Sequence, residues 1–161
     1  MEFSDIQLGI EMVALIAVII AASVFVYANS KEKKQRIKQA RNSELIRAIE
    51  ILTTKLEEGF LLREAILDAN ASKTKFDNKI IFDYVKGVEI KIYVLLMSTF
   101  EIWGSKKQKM NLINLNAYTE SWLKEFADFI SKSEMAPSVD DLLDKISLVI
   151  RDLSDDVKNS N

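Results

Sequence analysis

The side chains that come nearest to chemistry are three adjacent acid pairs, Glu57–Glu58, Asp140–Asp141 and Asp155–Asp156. Two carboxylates held on one face can divide the roles of general acid and general base. Neighbours along a helix, however, point about 100° apart, so none of these pairs is a catalytic dyad by itself. Histidine and cysteine are both absent. That removes disulfides, thiolate nucleophiles, imidazole acid–base steps and the usual zinc ligands. The four glycines at 9, 59, 87 and 104 are too scattered for a phosphate-cradling loop, and no G-x-S-x-G elbow is present. The reading is of a chain with no catalytic, cofactor-binding or metal-binding residue and no evident small-molecule substrate; an enzyme here would have to work through Lys, Asp, Glu, Ser or Tyr in an unfamiliar arrangement.

The elements that would position any function are marked by charge. The net charge is only -2, yet residues 31–41 carry six Lys or Arg and one Glu, and the stretch from Glu134 onward holds seven acidic and three basic residues. An acidic pole and a nearly neutral total argue against nucleic acid as a partner. Before the basic block, Met12 to Ser30 form nineteen consecutive uncharged residues, MVALIAVIIAASVFVYANS. At 1.5 Å per residue this run spans ~28 Å, the thickness of a bilayer's hydrocarbon core, and predicts a transmembrane helix over 12–30. Residues 1–11 contain Glu2, Asp5 and Glu11 and no cation, unlike the positive start of a cleaved signal peptide. Lys31, Lys33, Lys34, Arg36, Lys38 and Arg41 directly follow the run. By the positive-inside rule they keep the following domain cytoplasmic and place residues 1–11 outside, in a plasma (inner) membrane. The same six side chains form a membrane-surface strip for anionic lipid. Lacking an apolar stripe, residues 31–41 read as a stalk continuing the transmembrane helix.

Within the run, Ala14, Ala17, Ala21, Val24 and Ala28 recur at spacings of three and four. Small residues on one stripe allow close van der Waals approach between helices in lipid, so this is a candidate helix-association seam, to which Ser23 adds a weak polar contact or simply bonds its own backbone.

Residues 42–157 predict a small cytoplasmic bundle of about four helices, with a frayed tail at 158–161. Leu45, Ile46, Ile49, Leu52 and Leu56 share one face. The continuation KLEEGFLLREAIL is either one kinked helix or two helices broken at Gly59. Its form L-x-x-G-x-x-L-x-x-A-I resembles a helix–Gly–helix element of secretion-system platform proteins; the rest of the chain does not follow that family, and no function is carried over from it. After the polar connector DANASKTK, apolar residues from Phe76 to Trp103 fit a long helix stopped at Gly104. Val88, Ile90, Ile92 and Val94 also alternate with polar neighbours as a strand would, but only the weak segment NLINLN offers a pairing partner, which favours the helix. The run IYVLLM is expected to be the most buried part. GSKKQKMN reads as a basic loop, followed by a helical stripe of Leu115, Tyr118, Trp122, Leu123, Phe126, Ala127 and Ile130 with Asn114 or Asn116 as N-cap. Pro137, Ser138 and Asp141 announce a last helix through a capping box.

Together these features predict an all-α, single-pass membrane protein that binds the bilayer and either a protein partner or further copies of itself. The small-residue stripe fits a second class as well, a self-assembling membrane-active effector of holin-like or toxin-like kind. The double change Ala17→Leu, Ala21→Leu separates a span that merely anchors from one that assembles. Self-association of the transmembrane segment should fall in this variant and survive Val18→Leu with Ile19→Leu; equal behaviour of both variants in a membrane self-association assay would leave the segment a plain anchor.

Overall fold

The computed structural model describes the backbone of residues 3–132 and 138–160; the side chains of 3–15, 17, 127, 131, 132 and 160 lie outside the description. Described residues are helical apart from two short connections and the approach to the last helix, and no strand occurs among them. The four helices are α1 (Phe3–Ala71), α2 (Asn78–Leu95), α3 (Lys106–Lys132) and α4 (Asp140–Ser160). α2 is prolonged by a π-helical turn, Leu96–Phe100, and a final α turn, Glu101–Trp103. The chain forms two compact units, Met1–Ala40 and Arg41–Asn161.

The first unit is the beginning of α1. Its described apolar side chains, Ile16, Val18, Ile19, Ile20, Val24, Phe25 and Val26, are all exposed. Among the described residues no helix is long and apolar enough to cross a membrane. Residues 12–15 and 17 of the uncharged run lie outside that set.

The second unit is the helical bundle. One buried cluster joins Leu45, Ala48 and Leu52 of α1 to Val88, Ile92 and Leu95 of α2, Leu112 and Leu115 of α3, and Val149 and Leu153 of α4. The other joins Leu62 and Ile66 to Ile81, Phe126, Val139 and Leu143. Residue numbers rise from the first cluster to the second in α1 and α3 and fall in α2 and α4, so the helices alternate in direction, as short connections dictate. The buried spacings of three and four are those of amphipathic helices, each turning one stripe inward.

This packing decides several of the sequence expectations and corrects others. α1 passes through Gly59 without a break, which settles the open choice there. It stops at a 6→1 closure, Thr74 N–H donating to the Ala69 carbonyl at 2.9 Å, with Lys73 in the left-handed region at φ 53°. This is a Schellman-type end carrying lysine where glycine is usual. Residues 88–97 are helix, because Val88, Ile92 and Leu95 belong to one buried row with Ile81 and Val85. IYVLLM is not uniformly buried: Ile92 and Leu95 face the core, whereas Tyr93, Val94 and Met97 are exposed. The π turn carries the inward row past Leu95 to Thr99 and Phe100, both buried.

Gly104 does end this helix, but at φ -73° and ψ 138° it uses no special backbone freedom. Space explains it: an added Cβ would lie 2.7 Å from the Phe100 carbonyl oxygen and 2.9 Å from Phe100 Cβ. GSKKQKMN is not a loop. Ser105 caps α3, its Oγ accepting from Gln108 N–H at 3.2 Å while Gln108 Oε1 accepts from Ser105 N–H at 2.7 Å. This reciprocal box replaces the expected caps Asn114 and Asn116, which lie inside the helix. Before α4, Ser138 Oγ accepts from Asp140 N–H at 3.1 Å and donates to Asp140 Oδ2 at 2.5 Å, so Asp140 rather than Asp141 is its partner. α4 continues to Ser160, beyond the expected fraying point.

Two glycines give opposite expectations. At Gly59 an added Cβ would collide with the Tyr84 hydroxyl and with Leu143, and would lie 2.8 Å from Tyr84 Cζ; at Gly87 the nearest atom is Lys55 Nζ at 3.8 Å. Gly87→Ala should therefore stabilise the bundle by about 0.5–1 kcal/mol through helix propensity. Gly59→Ala should destabilise it by about 1–3 kcal/mol despite the same propensity gain. Thermal or urea unfolding of both variants tests this, and a Gly59→Ala protein as stable as the parent would refute the close packing.

Candidate functional site

The described residues contain no group of three or more carboxylates placed to hold a metal ion. Between α3 and α4 lies a cleft of about 170 Å³ lined by Asn111, Asn114, Leu115, Lys145, Leu148, Val149 and Asp152. Ligand pockets usually enclose ~300–1,000 Å³, so this cleft is too small to bury most ligands. A wider hollow beside the connector, lined by residues 75–78, is open to solvent.

Two of the polar side chains that line the cleft, Asn111 and Asp152, are bonded to each other. Asn111 Nδ2 donates to Asp152 Oδ2 at 2.8 Å, and Lys107 Nζ lies 3.6 Å from the same oxygen. One turn away Gln108, only 2% exposed, donates through Nε2 to Asp156 Oδ2 at 2.7 Å while its other end closes the Ser105 box. The row fastens the start of α3 to the end of α4. Lys145 Nζ sits 4.7 Å from the Tyr118 ring centroid, a cation–π contact on the same seam.

The most perturbed titrating group is also structural. Tyr84 is part-buried, and its hydroxyl donates to the Lys55 carbonyl at 2.8 Å. Burial, aided by the negative charge of Glu58, pushes its phenol well above the ordinary tyrosine value. A phenol so hard to ionise is a poor nucleophile at neutral pH. At the far end of the bundle, Asp140 is held below the usual carboxylate range by the Ser138 hydroxyl and by Arg63, whose Nε lies 2.5 Å from Oδ1.

The acid pairs also fall into separate surroundings. Glu58 meets Lys55, Asp140 meets Arg63, and Asp156 meets Gln108.

Of the residues expected at a membrane surface, Lys31, Lys33, Lys34, Arg36 and Lys38 are exposed along α1 in the first unit, with Arg36 bonded to Glu32 at 2.6 Å. Arg41 falls in the second unit and is half-buried. Of the small-residue stripe, Ala21, Val24 and Ala28 are exposed, whereas the side chains of Ala14 and Ala17 lie outside the described residues. Ser23 Oγ donates to the Ile19 carbonyl at 2.8 Å, so its hydroxyl serves its own helix. The aromatic stripe of α3 is largely core: Phe126 is buried, and Trp122 stacks on it with centroids 5.1 Å apart.

The surface that sequence reading missed is the outer side of α2. Opposite the buried row, Ile90, Tyr93, Val94 and Met97 form an apolar strip, with Tyr93 57% and Val94 51% exposed. Helical spacing of three and four puts these residues on one face. A solvated face would ordinarily be polar, as this helix is one turn earlier at Asp83 and Lys86. The signal lay in VEIKIYVLLM, whose apolar residues are too numerous for one buried stripe.

No protein-family description, curated protein or solved structure matches the chain.

The Tyr84 hydrogen bond predicts an alkaline limb of instability. Because its folded value lies above 10, the unfolded chain ionises first. The contribution is therefore complete below pH 10 and is lost as the pH rises toward the folded value. Tyr84→Phe should cost about 1 kcal/mol at neutral pH through the lost hydrogen bond, yet should flatten the decline in stability above pH 10. Unfolding measured across that range tests it; parallel declines in parent and variant would show that Tyr84 is not responsible.

Proposed function

We propose that this chain is a single-pass membrane-anchored helical interaction protein, a non-catalytic subunit or adaptor whose cytoplasmic bundle binds a protein partner in a membrane-associated complex. The carrying observation is the outer face of α2, where Ile90, Tyr93, Val94 and Met97 remain exposed on a helix whose other face is fully packed. Exposed apolar strips with polar surroundings mark interaction surfaces.

The anchor is supported by the nineteen uncharged residues from Met12 to Ser30 and by their exposed side chains from Val18 to Val26, which no other part of the described protein covers. Lipid is the natural cover for such a helix. The basic residues Lys31 to Lys38 supply the orientation, with the bundle on the cytoplasmic side.

The test joins topology to partnership. A reporter fused after Asn161 should behave as cytoplasmic, and an externally active fusion would reverse the orientation. Mild-detergent purification should recover a stoichiometric partner with the parent chain and lose it with Tyr93→Glu combined with Val94→Glu, while circular dichroism shows both folded. A monodisperse monomer in both cases would refute the adaptor reading.

A further inference from the structure

We infer that the turn joining α2 to α3 is a second membrane contact, in which Ile102, Trp103 and Met110 enter the headgroup layer of an anionic bilayer while Lys106 and Lys107 meet its phosphates. The inference rests on the proposed anchor and goes beyond it by assigning the bundle its own lipid-binding surface.

Its position follows from the core. Leu95, Phe100, Leu112 and Leu153 share a buried cluster with Leu45 and Ala48, the first buried residues after Arg41. The α2–α3 turn is therefore at the end of the bundle where the chain enters it. From Leu95 to Trp103 the helix advances eight more residues, about 12 Å.

The chemistry fits a lipid surface. Ile102 is 73% exposed, Met110 is exposed, and Trp103 is half-buried beside them in sequence. Ile102 is no core residue displaced outward: the inward positions of this turn are already filled by Thr99 and Phe100. Lys106 and Lys107 lie within one turn of Met110 and are exposed. Between Leu96 and Met110 three lysines face one carboxylate, Glu101, which leaves an excess of positive charge.

Of the carboxylates at the end of α4, Asp152 and Asp156 are occupied by Asn111 and Gln108, and Asp155 is exposed. Lys107, 3.6 Å from Asp152, and Lys109, 3.2 Å from Glu101, make surface pairs that phosphate can replace. Tryptophan with apolar neighbours and flanking lysines is the composition of interfacial anchors. An acidic protein surface would not call for Ile102 and Trp103 beside these lysines.

The two tryptophans allow a direct test with the full chain. Trp122→Phe leaves only Trp103, and Trp103→Phe leaves only Trp122, which stacks on Phe126 in the cluster at the other end. The chain is incorporated into nanodiscs of phosphatidylcholine, with or without phosphatidylglycerol, containing a headgroup nitroxide lipid. In the anionic discs Trp103 emission should be quenched about twofold or more relative to Trp122. The excess should fall to near zero in zwitterionic discs and in the variant Lys106→Glu, Lys107→Glu. Should Trp122→Phe fold poorly, the Trp103 signal is recovered as the difference between the parent and Trp103→Phe. Equal quenching of both tryptophans, or quenching indifferent to lipid and protein charge, overturns the proposal. A chain that does not co-elute with discs overturns the anchor as well, whereas co-elution with unquenched Trp103 overturns the second contact alone.

Discussion

Three helices of the bundle meet at Gly59. Because α1 has no side chain there, the ring of Tyr84 from α2 and the methyl groups of Leu143 from α4 come against its backbone. The Tyr84 hydroxyl then reaches the Lys55 carbonyl one turn earlier. That contact fixes α2 and α4 along α1, since sliding either helix by one residue would turn its buried stripe away from the core. The two hydrophobic clusters on either side follow from this register. The intrinsic helix cost of glycine, about 1 kcal/mol, is offset by an approach that alanine would block.

The same register determines what happens at the end of α2. With Ile92 and Leu95 pinned in the core, Thr99 and Phe100 must also turn inward, although an ordinary helix after Leu95 would bring the fourth residue inward and leave the fifth to one side. A π turn at Leu96–Phe100 adds the extra residue that accommodates both. Ser98 Oγ bonding back to the Val94 carbonyl at 2.7 Å supports the local distortion. Burial of Phe100 in turn requires glycine at 104, and the Ser105–Gln108 box starts α3 immediately afterwards. Ile102 and Trp103 are thus projected by a rigid corner with closely specified packing.

Most of the helical framework was legible in the sequence because period 3.6 is hard to counterfeit over several turns. Leu45, Leu52 and the stripe from Val139 to Leu153 announced their buried faces directly, although Ile46, assigned to the first face, is exposed. The misreadings share a physical cause, which is that one local signal served two demands. IYVLLM looked like a wholly buried run because both sides of α2 are apolar, one toward the core and one outward. GSKKQKMN looked like a loop because its lysines obscured a capping box whose glutamine is buried 48 residues from its acceptor, Asp156. Composition gives no measure of such a long-range contact. The uncharged run, by contrast, depends only on its own length and neighbours, whereas the outer face of α2 exists only once the helix is packed.

That outer face also ties function to stability under the proposed reading. Tyr93 and Val94 come together with Ile90 and Met97 only when α2 is helical and its inner row is packed, so a partner that covers them recognises the folded bundle and not the unfolded chain. Binding of that kind raises stability by mass action, about 2.7 kcal/mol when the free partner is at a hundred times its dissociation constant. The inner row and the outer row of one helix are then coupled without any direct contact between core and partner. Loosening the core at Val88 or Ile92 would weaken binding by depopulating the face, and occupancy of the face would in turn protect the core.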